Sequence, residues 1–436
     1  MRRHTPRAAV PRLLRRLAVP VVASAAVAHL FTAPTKTAPT ETAPTETAAT
    51  ETAATQATAA AASAATHDIV TWGASADRMG EAAADRSYRL VVRTSAGGTD
   101  LRVRLSNAFG DRPVTFGRAY AGVQKEGAAL VRGSNRRLTF GGERTVTVPA
   151  GATALSDPLP GRLPAATSLV VSLYTAEAGG PATGHGMAMQ TSYTTTGDHV
   201  AEEGPDNWTG TTGSWFYLDA VTVRTRSDTG AVVALGDSIT DGWQSSTDKN
   251  RRWPDYLARR LRADPDTRIE GVANEGISGN KVLADGAGQS ALNRLERDVL
   301  AHPGVRTVLV FEGVNDIKAH TGVTAGDLIA GYRRIIDRAH AAGVCVVGAT
   351  VGPFKGWYEW DAQAEAVRQE VNEFIRNGGE FDAVTDFDRI LRSPYDHERL
   401  LPFFDNGDHI HPNDTGMQAL ADSVRLEDLS CDRRAP

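Results

Sequence analysis

Ser238 is the residue whose position in this chain most suggests chemistry. It follows the apolar run Ala231–Leu235 and the small residue Gly236. Such a run predicts a strand with the serine hydroxyl at its carboxyl end, where ligands and catalytic groups collect in open α/β sheets. A serine hydroxyl becomes a good nucleophile when a base removes its proton, and that base is usually a histidine oriented by a carboxylate. Serine is also a common helix cap, so catalysis by Ser238 requires such partners elsewhere.

Those partners stand together near the end of the chain. Asp408 and His411 lie three residues apart in the segment Asp408–Pro412. A loop that carries both can present the imidazole to a serine while the carboxylate fixes its tautomer. We therefore expect His411 to act as general base and Asp408 to orient it. The neighbouring His409 is expected to point away from His411 and to make local hydrogen bonds.

A tetrahedral intermediate also needs hydrogen-bond donors aimed at its oxyanion. Loss of one such donor costs roughly 3 to 4 kcal/mol of transition-state stabilisation. The segments Gly276–Asn280 and Gly313–Asp316 each follow a predicted strand and carry suitable groups. The candidate donors are the backbone N–H groups of Ser238 and Gly279 and the side-chain amide of Asn315.

Other polar residues in these segments are interpreted as structural. We expect Asp237 and Asp316 to brace their loops through hydrogen bonds, because direct catalysis would duplicate the role of Asp408. Asn280 is expected to hold its own loop. Ser278 is not predicted as a nucleophile, because no histidine partner follows from its segment.

Four segments, namely the one around Ser238 and the three segments Gly276–Asn280, Gly313–Asp316 and Asp408–Pro412, carry these candidate residues. In their order and separation they resemble the GDSL, or SGNH, hydrolases over about residues 231–430. The resemblance implies that Ser238 is the nucleophile and first oxyanion donor, that Gly279 and Asn315 are the other donors, and that Asp408 orients the general base His411. It implies a flavodoxin-like three-layer α/β/α domain, and neither a metal nor an organic cofactor. Thr240 stands where the Gly-x-Ser-x-Gly elbow of α/β-hydrolases would have its second glycine.

The resemblance fixes the reaction better than the substrate. The segments Leu105–Gly110 and Arg251–Pro254 are similar to a secreted bacterial subset that carries a β-rich domain ahead of the catalytic one. That subset is associated with carbohydrate-esterase, arylesterase and lysophospholipase activities. We expect a serine esterase for small acyl groups on carbohydrate or simple alcohols. The alternatives are a lipase or lysophospholipase, acyl transfer to an alcohol, and a non-catalytic glycan- or wall-binding protein on a hydrolase fold.

Aromatic residues near the predicted site suggest a pocket wall. The segment Pro353–Trp360 is unusually aromatic and follows a predicted strand. Aromatic faces suit both apolar chains and sugar rings, and we predict Trp243, Phe354 and Trp357 as pocket residues. The alternative is that this segment packs against the β-rich part of the chain.

Two parts of the chain differ in the secondary structure that their sequence patterns predict. Residues 67–228 carry short alternating runs separated by turn signals, a pattern typical of a β-sandwich, with a jelly roll as one form. From residue 229 to 436, apolar strands alternate with helical patterns, which predicts a parallel sheet covered by helices on both faces. The scattered aromatics of the first part favour a docking domain over a carbohydrate-binding module. The predicted parallel strands are 232–235, 268–272, 305–311, 344–351 and 383–387.

The first residues are typical of a targeting signal. A basic stretch ends at Arg16, and the mostly apolar segment Leu17–Phe31 follows it. This order predicts a signal peptide over residues 1–31, export by an undetermined route and possible cell-wall association. A membrane anchor is the weaker alternative, because the apolar segment is shorter than the ~20 residues of a spanning helix. Residues 32–66, rich in Thr, Ala and Pro, are interpreted as a disordered linker.

The charge composition of the chain limits the classes of molecule that it is expected to bind. The formal net charge of −5, with no cationic run after residue 31, argues against nucleic acid. We expect a small-molecule, polysaccharide or lipid ester as substrate, with no stable membrane insertion after signal removal; the oligomeric state stays open. The chain has two cysteines, Cys345 and Cys431. A disulfide between them and a simple core role for Cys345 are left as equal alternatives.

Overall fold

The structure is a computed structural model that describes residues 65–430. The predicted signal peptide, all but the last two residues of the predicted linker, and Cys431 lie outside the described residues. The predictions made for them therefore stay predictions.

Residues 65–229, called the antiparallel region below, are built from strands. One sheet has the order β1-β16-β4-β10 with β9 beside β4, and a second has the order β14-β13-β3-β11-β5-β6 with β7 and β8 beside β5. The short strands β15, β12 and β2 form a third sheet. The strands are β1 (Thr66–Gly73), β2 (Asp77–Glu81), β3 (Arg86–Arg93), β4 (Gly98–Ser106), β5 (Val114–Glu126), β6 (Ala129–Leu130), β7 (Arg136–Arg137), β8 (Val146–Val148), β9 (Thr153–Leu155), β10 (Leu159–Leu163), β11 (Ser168–Thr175), β12 (Pro181–His185), β13 (Ser192–Thr196), β14 (Gly210–Thr212), β15 (Trp215–Phe216) and β16 (Leu218–Arg226).

The two larger sheets share one apolar core. In β4, Leu101, Val103 and Leu105 are buried, while Arg102 and Arg104 between them are only partly buried. Side chains point alternately to the two faces of a strand, so this pattern places one face of β4 in the core. Alternate buried leucines and valines of β3 and β11 join the same cluster, and the buried valines between them belong to a smaller cluster on the other face. The strand-rich prediction is confirmed, and the jelly-roll connectivity stays a prediction.

Residues 230–430, called the parallel region below, form a five-stranded parallel sheet with helices. The strand order β18-β17-β19-β20-β21 is the 2-1-3-4-5 order of flavodoxin-like sheets. A π-helical turn, Glu296–Leu300, follows α3, and a 3-10 helix, Leu426–Leu429, ends the region. The elements are β17 (Gly230–Gly236), α1 (Ser238–Asp241), α2 (Trp253–Ala263), β18 (Ile269–Gly276), α3 (Ala291–Leu295), β19 (Val305–Phe311), α4 (Val314–Lys318), α5 (Ala325–Ala341), β20 (Cys345–Ala349), α6 (Ala362–Asn377), β21 (Ala383–Thr385), α7 (Phe387–Leu391) and α8 (Asp414–Ser423).

The sheet is buried on both faces, which explains why its strands read as continuous apolar runs. Val233 and Leu235 of β17 belong to a core shared with α3, α5 and α6. Val232 and Ala234, which point the other way, belong to a core shared with α2, α7 and α8. The three-layer α/β/α prediction is confirmed, and all five predicted strands are present.

The two regions pack together in one compact unit. The Val70 N–H donates to the Pro303 carbonyl at 2.9 Å, and the Val272 N–H donates to Ser95 Oγ at 2.9 Å. Ala74, which directly follows β1, also pairs in parallel with Asn274 of the edge strand β18, so the antiparallel region closes that side of the parallel sheet.

Cys345 is buried at the start of β20 and is not a free cysteine. Because Cys431 lies beyond the described residues, a disulfide between the two stays a prediction. Between residues 65 and 430, no helix combines the length and the apolar character that a membrane crossing requires.

Candidate active site

Ser238 lies where the chain turns from β17 into α1, at the carboxyl edge of the parallel sheet. Asp237 caps the helix, because its Oδ1 accepts the Ile239 N–H at 2.9 Å. Gly236 is required at this turn, since a Cβ there would lie 2.2 Å from Thr240 Oγ1 and 2.5 Å from the Phe311 carbonyl oxygen. The side chain of Ser238 is thus presented at the sheet edge, with 9% of the residue exposed.

The structure brings Ser238, His411 and Asp408 together as the sequence predicts. Ser238 Oγ lies 2.8 Å from His411 Nε2, and His411 Nδ1 lies 2.7 Å from Asp408 Oδ2. The other oxygen of Asp408 accepts the backbone N–H of His411 at 2.9 Å. Because a carboxylate only accepts hydrogen bonds, Nδ1 carries the proton and the lone pair of Nε2 faces the serine hydroxyl. This is the geometry of a nucleophile held against its base.

The electrostatic environment keeps this base neutral. Burial lowers the pKa of His411 below its ordinary value by more than the Asp408 hydrogen bond raises it, and the Lys318 ammonium lowers it further. Burial alone would raise the pKa of Asp408, but hydrogen bonds from His411 and Ile410 outweigh it and hold that pKa low. At neutral pH the imidazole is therefore free to accept a proton from Ser238.

The three predicted oxyanion donors follow β17, β18 and β19: Ser238 begins α1, Gly279 lies in a loop and Asn315 lies in α4. Within residues 65–430, neither the Ser238 N–H nor the Gly279 N–H donates to another protein group. Gly279 has φ +83°, a conformation that favours glycine. Asn315 Nδ2 donates to the Asn280 carbonyl at 2.8 Å and lies 3.5 Å from Asp237 Oδ2. The second distance is at the limit of a hydrogen bond, so the Asn315 amide is held mainly by the Asn280 carbonyl.

The loop-bracing predictions are confirmed. The carboxylate of Asp316 accepts the N–H groups of Val282 and Leu283 at 2.8 and 3.0 Å. Asn280 Nδ2 donates to two carbonyls of its own loop, and Arg294 Nε donates to Asn280 Oδ1 at 3.1 Å. His409 pairs with Asp405 at 2.7 Å and does not contact His411. These contacts fix the loops that carry Gly279, Asn315 and His411.

Glu312, which the sequence analysis did not single out, directly follows β19 and precedes Asn315 by three residues. It is 2% exposed, and neither carboxyl oxygen has a hydrogen-bond partner among the described residues. Burial and the nearby Asp237 raise the pKa of Glu312 well above its ordinary range, and burial raises the pKa of Asp237 to about 7. Burial thus favours the neutral form of the Glu312 carboxyl over its charged form. A carboxylate directly after the apolar strand β19 is the signal that could have revealed it.

The predicted pocket residues divide into two groups. The ring centroids of Trp243 and Trp357 each lie 6.0 Å from that of His411, and Trp243 is 41% exposed. The prediction for Phe354 is wrong, because it is 0% exposed and belongs to the core packed against α5 and α6. Its ring anchors the segment that carries Trp357 and cannot contact a ligand. Tyr358 is exposed, with its ring centroid 4.8 Å from that of Trp357.

A cavity of about 300 Å³ lies away from this site. It is lined in part by Trp72, Arg93 and Arg262 and contains none of the predicted site residues. Across residues 65–430, no three His, Cys, Asp or Glu side chains are grouped so as to hold a metal ion.

Part of the chain matches a known protein family. Residues 234–419 match the family described as GDSL-like Lipase/Acylhydrolase. Three solved structures are each similar to less than half of the chain. A putative lipolytic protein of the G-D-S-L family from Desulfitobacterium hafniense is 20% identical over 46% of this chain and 98% of its own, with a TM-score of 0.36.

The aryl esterase of M. smegmatis is 18% identical over 45% of this chain and 97% of its own, with a TM-score of 0.37. A carbohydrate acetylesterase from Sinorhizobium meliloti is 17% identical over 44% of this chain and 94% of its own, with a TM-score of 0.35. No curated protein matches the chain.

Proposed function

We propose that the part of the chain that matches the GDSL-like Lipase/Acylhydrolase family, residues 234–419, hydrolyses carboxylic esters through an acyl-serine intermediate. The observation that carries the proposal is the contact of Ser238 Oγ with His411 Nε2 at 2.8 Å. The Nδ1 atom of the same imidazole is held by Asp408. Residues of these types in this order of contact form an activated serine nucleophile.

The acylation half-reaction uses these atoms directly. Ser238 Oγ attacks the ester carbonyl carbon as its proton passes to His411 Nε2, and the carbonyl electron pair becomes an oxyanion. The imidazolium then donates that proton to the departing alkoxide, which leaves as the alcohol. The products of this half are the alcohol and an acyl ester on Ser238.

Deacylation repeats the steps with water. His411 Nε2 takes a proton from water, the hydroxide oxygen attacks the acyl carbon, and the second oxyanion collapses with return of the proton to Ser238 Oγ. The Ser238 and Gly279 N–H groups and the Asn315 amide are the proposed donors to both oxyanions. Asp408 stays ionised and stabilises the imidazolium that forms in each half-reaction.

We propose a small acyl group on a carbohydrate or simple alcohol as the substrate. The rings of Trp243 and Trp357, whose centroids each lie 6.0 Å from that of His411, support this choice. Indole faces pack well against sugar rings and other compact apolar groups. An exposed Trp243 beside the base would contact the alcohol or the acyl group of a bound ester.

The test is hydrolysis of p-nitrophenyl esters from acetate to palmitate by the wild type and by Ser238→Ala. We expect activity that peaks at acetate and is lost in the variant, because the hydroxyl oxygen is the attacking atom. A peak at long acyl chains would replace the proposed substrate with a lipid ester. Full activity in purified Ser238→Ala would overturn the serine mechanism.

We also propose that the chain is exported, on the basis of the basic stretch that ends at Arg16 and the apolar segment Leu17–Phe31. The intact mass of protein recovered from the medium of a secreting bacterial host tests it. A mass that lacks about the first thirty residues is expected. Retention of the unprocessed chain inside the cells would contradict the proposal.

A further inference from the structure

His185, in the antiparallel region, is buried against the catalytic part of the chain. It is the last residue of β12, it is 6% exposed, and its ring centroid lies 5.5 Å from that of Trp215. Its Nδ1 lies 2.9 Å from the Ser75 carbonyl oxygen. Its Nε2 lies 3.0 Å from Asp241 Oδ1 and 3.0 Å from the Met187 carbonyl oxygen.

All three partners of this imidazole are oxygen atoms that only accept hydrogen bonds. A neutral imidazole has one nitrogen lone pair, and here that lone pair would face a carbonyl or a carboxylate at 3 Å. Both nitrogens must therefore carry protons, which makes His185 a buried imidazolium paired with Asp241. Burial alone would lower the pKa of His185, but Asp241 and the two carbonyls outweigh it and raise that pKa.

Asp241 links this cation to the catalytic loops. It is the last residue of α1, the short helix that Ser238 begins. Its Oδ2 accepts the Ser278 N–H at 2.9 Å and the Ser278 hydroxyl at 2.8 Å. Ser278 directly precedes Gly279, whose N–H is a proposed oxyanion donor. One carboxylate thus ties the nucleophile helix to the loop that carries Gly279.

We propose that His185 is a positioning residue for ester hydrolysis, through which the antiparallel region sets the place of the Gly279 N–H. Its positive charge neutralises Asp241 and so keeps that carboxylate buried at the junction of the two loops. His185 contacts neither Ser238 nor His411, and it acts only through Asp241. The inference rests on the proposed function, because it assigns His185 a part in that reaction.

Other charged groups around the pair are already engaged. Arg252 interacts electrostatically with Asp241 but makes its hydrogen bonds to Asp255. Asp77 and Arg78, on the neighbouring strand β2, line the same shallow cavity as His185.

The Ser75 hydroxyl beside the ring donates to Glu275 at 2.8 Å and accepts a hydrogen bond from Arg294 at 2.7 Å. Glu275 also pairs with His302 at 2.7 Å. Among the described residues, His185 is thus the cation hydrogen-bonded to the carboxylate of Asp241.

This arrangement predicts an alkaline limit to activity. The imidazolium is present below its raised pKa and is lost as pH rises through that pKa. A neutral His185 would then present a lone pair to an acceptor and leave Asp241 without its paired charge. We expect kcat to fall on the alkaline side, while the acid side follows His411.

His185→Gln tests the inference in the full chain. Misplacement of an oxyanion donor should lower kcat between about tenfold and 100-fold, with a smaller change in KM, and the alkaline fall in kcat should disappear while the acid fall stays. The matched control is His199→Gln, because His199 also pairs with a carboxylate, Glu202, but within the antiparallel region. That control should keep the wild-type kcat and both limbs of the pH profile.

A His185→Gln protein with the wild-type kcat and alkaline limb would overturn the inference.

Nitrogen NMR of histidine-labelled wild type gives a test that needs no folded variant. Two protonated ring nitrogens on His185 at pH 7 are expected, and one unprotonated nitrogen would refute the imidazolium. If the wild type cleaves no ester, the proposed function fails. The rate at which a fluorophosphonate labels Ser238 in the wild type and in His185→Gln then still tests whether His185 positions the site. Equal labelling rates would overturn the positioning role.

Discussion

The carboxyl edge of the parallel sheet carries two clusters of the same three residue types. Each contains one serine, one histidine and one aspartate, with similar donor–acceptor distances of 2.7 to 3.0 Å. The first cluster is Ser238, His411 and Asp408; the second is Ser278, His185 and Asp241.

The order of contacts separates them. In the first cluster the imidazole lies between the hydroxyl and the carboxylate, so one nitrogen keeps a lone pair for the serine proton. In the second the carboxylate lies in the middle, the serine donates to it, and the imidazole faces only acceptors. The first can move a proton and the second can only hold charge. Residue types therefore do not identify a catalytic cluster unless the order of their hydrogen bonds is known.

The largest expected difference between the two clusters is the loss of kcat when the aspartate of each is replaced. Asp408→Asn should lower kcat by about 10⁴-fold, because the amide no longer fixes the Nδ1–H tautomer of the base. Asp241→Asn should lower kcat between about tenfold and 100-fold, because it loosens only the position of the Gly279 loop. Steady-state kinetics on p-nitrophenyl acetate measures both. Equal losses would mean that the two clusters do not differ in the way described.

The next effect concerns the oxyanion donors that the clusters support. Asn315→Ala should lower kcat by about 10² to 10³-fold with little change in KM, because the amide acts mainly when the oxyanion has formed. Asn293→Ala is the control, since its side chain donates to Asp285 on the surface and not to the site. A change confined to KM in Asn315→Ala would show that the amide binds the ground state instead.

The smallest effect is a shift in the acid limb of the pH profile. His411 acts when neutral, and its pKa is lowered, so kcat/KM should be retained below pH 6.5 and lost as pH falls through the lowered pKa. Lys318→Gln removes a cation that lowers this pKa and frees the carboxylate of Glu359, with which Lys318 pairs. Its acid limb should move to higher pH. An unmoved or lower limb would contradict the electrostatic account of the base.

Much of the parallel region follows from local sequence. Strands buried on both faces must be apolar throughout, which is why β17 and β19 are visible as continuous runs. The catalytic segment that begins at Asp408 is also local, because the aspartate and the histidine reach each other within three residues. That segment lies between α7 and α8 and not at a strand end, so its contact with Ser238 was predictable from the family resemblance and not from the strand pattern.

The misjudged and missed residues depend on packing that local patterns do not encode. Phe354 lies in an irregular segment without helical or strand periodicity. No sequence pattern therefore predicts that its side chain points into the core. His185 is a lone histidine whose partner, Asp241, is 56 residues away in the other region. Glu312 gains its character from burial beside Asp237, a contact between two strand ends. Only the folded chain brings these groups together.

Mass spectrometry after reaction with a fluorophosphonate is the measurement that tests the central claim most directly. The serine that is activated by a neutral imidazole should be labelled once per chain, and peptide analysis should place the label on Ser238. Ser238→Ala should take up no label, while Ser278→Ala should still take up one label, on Ser238. Labelling of Ser278, or no labelling of the folded wild type, would contradict the account.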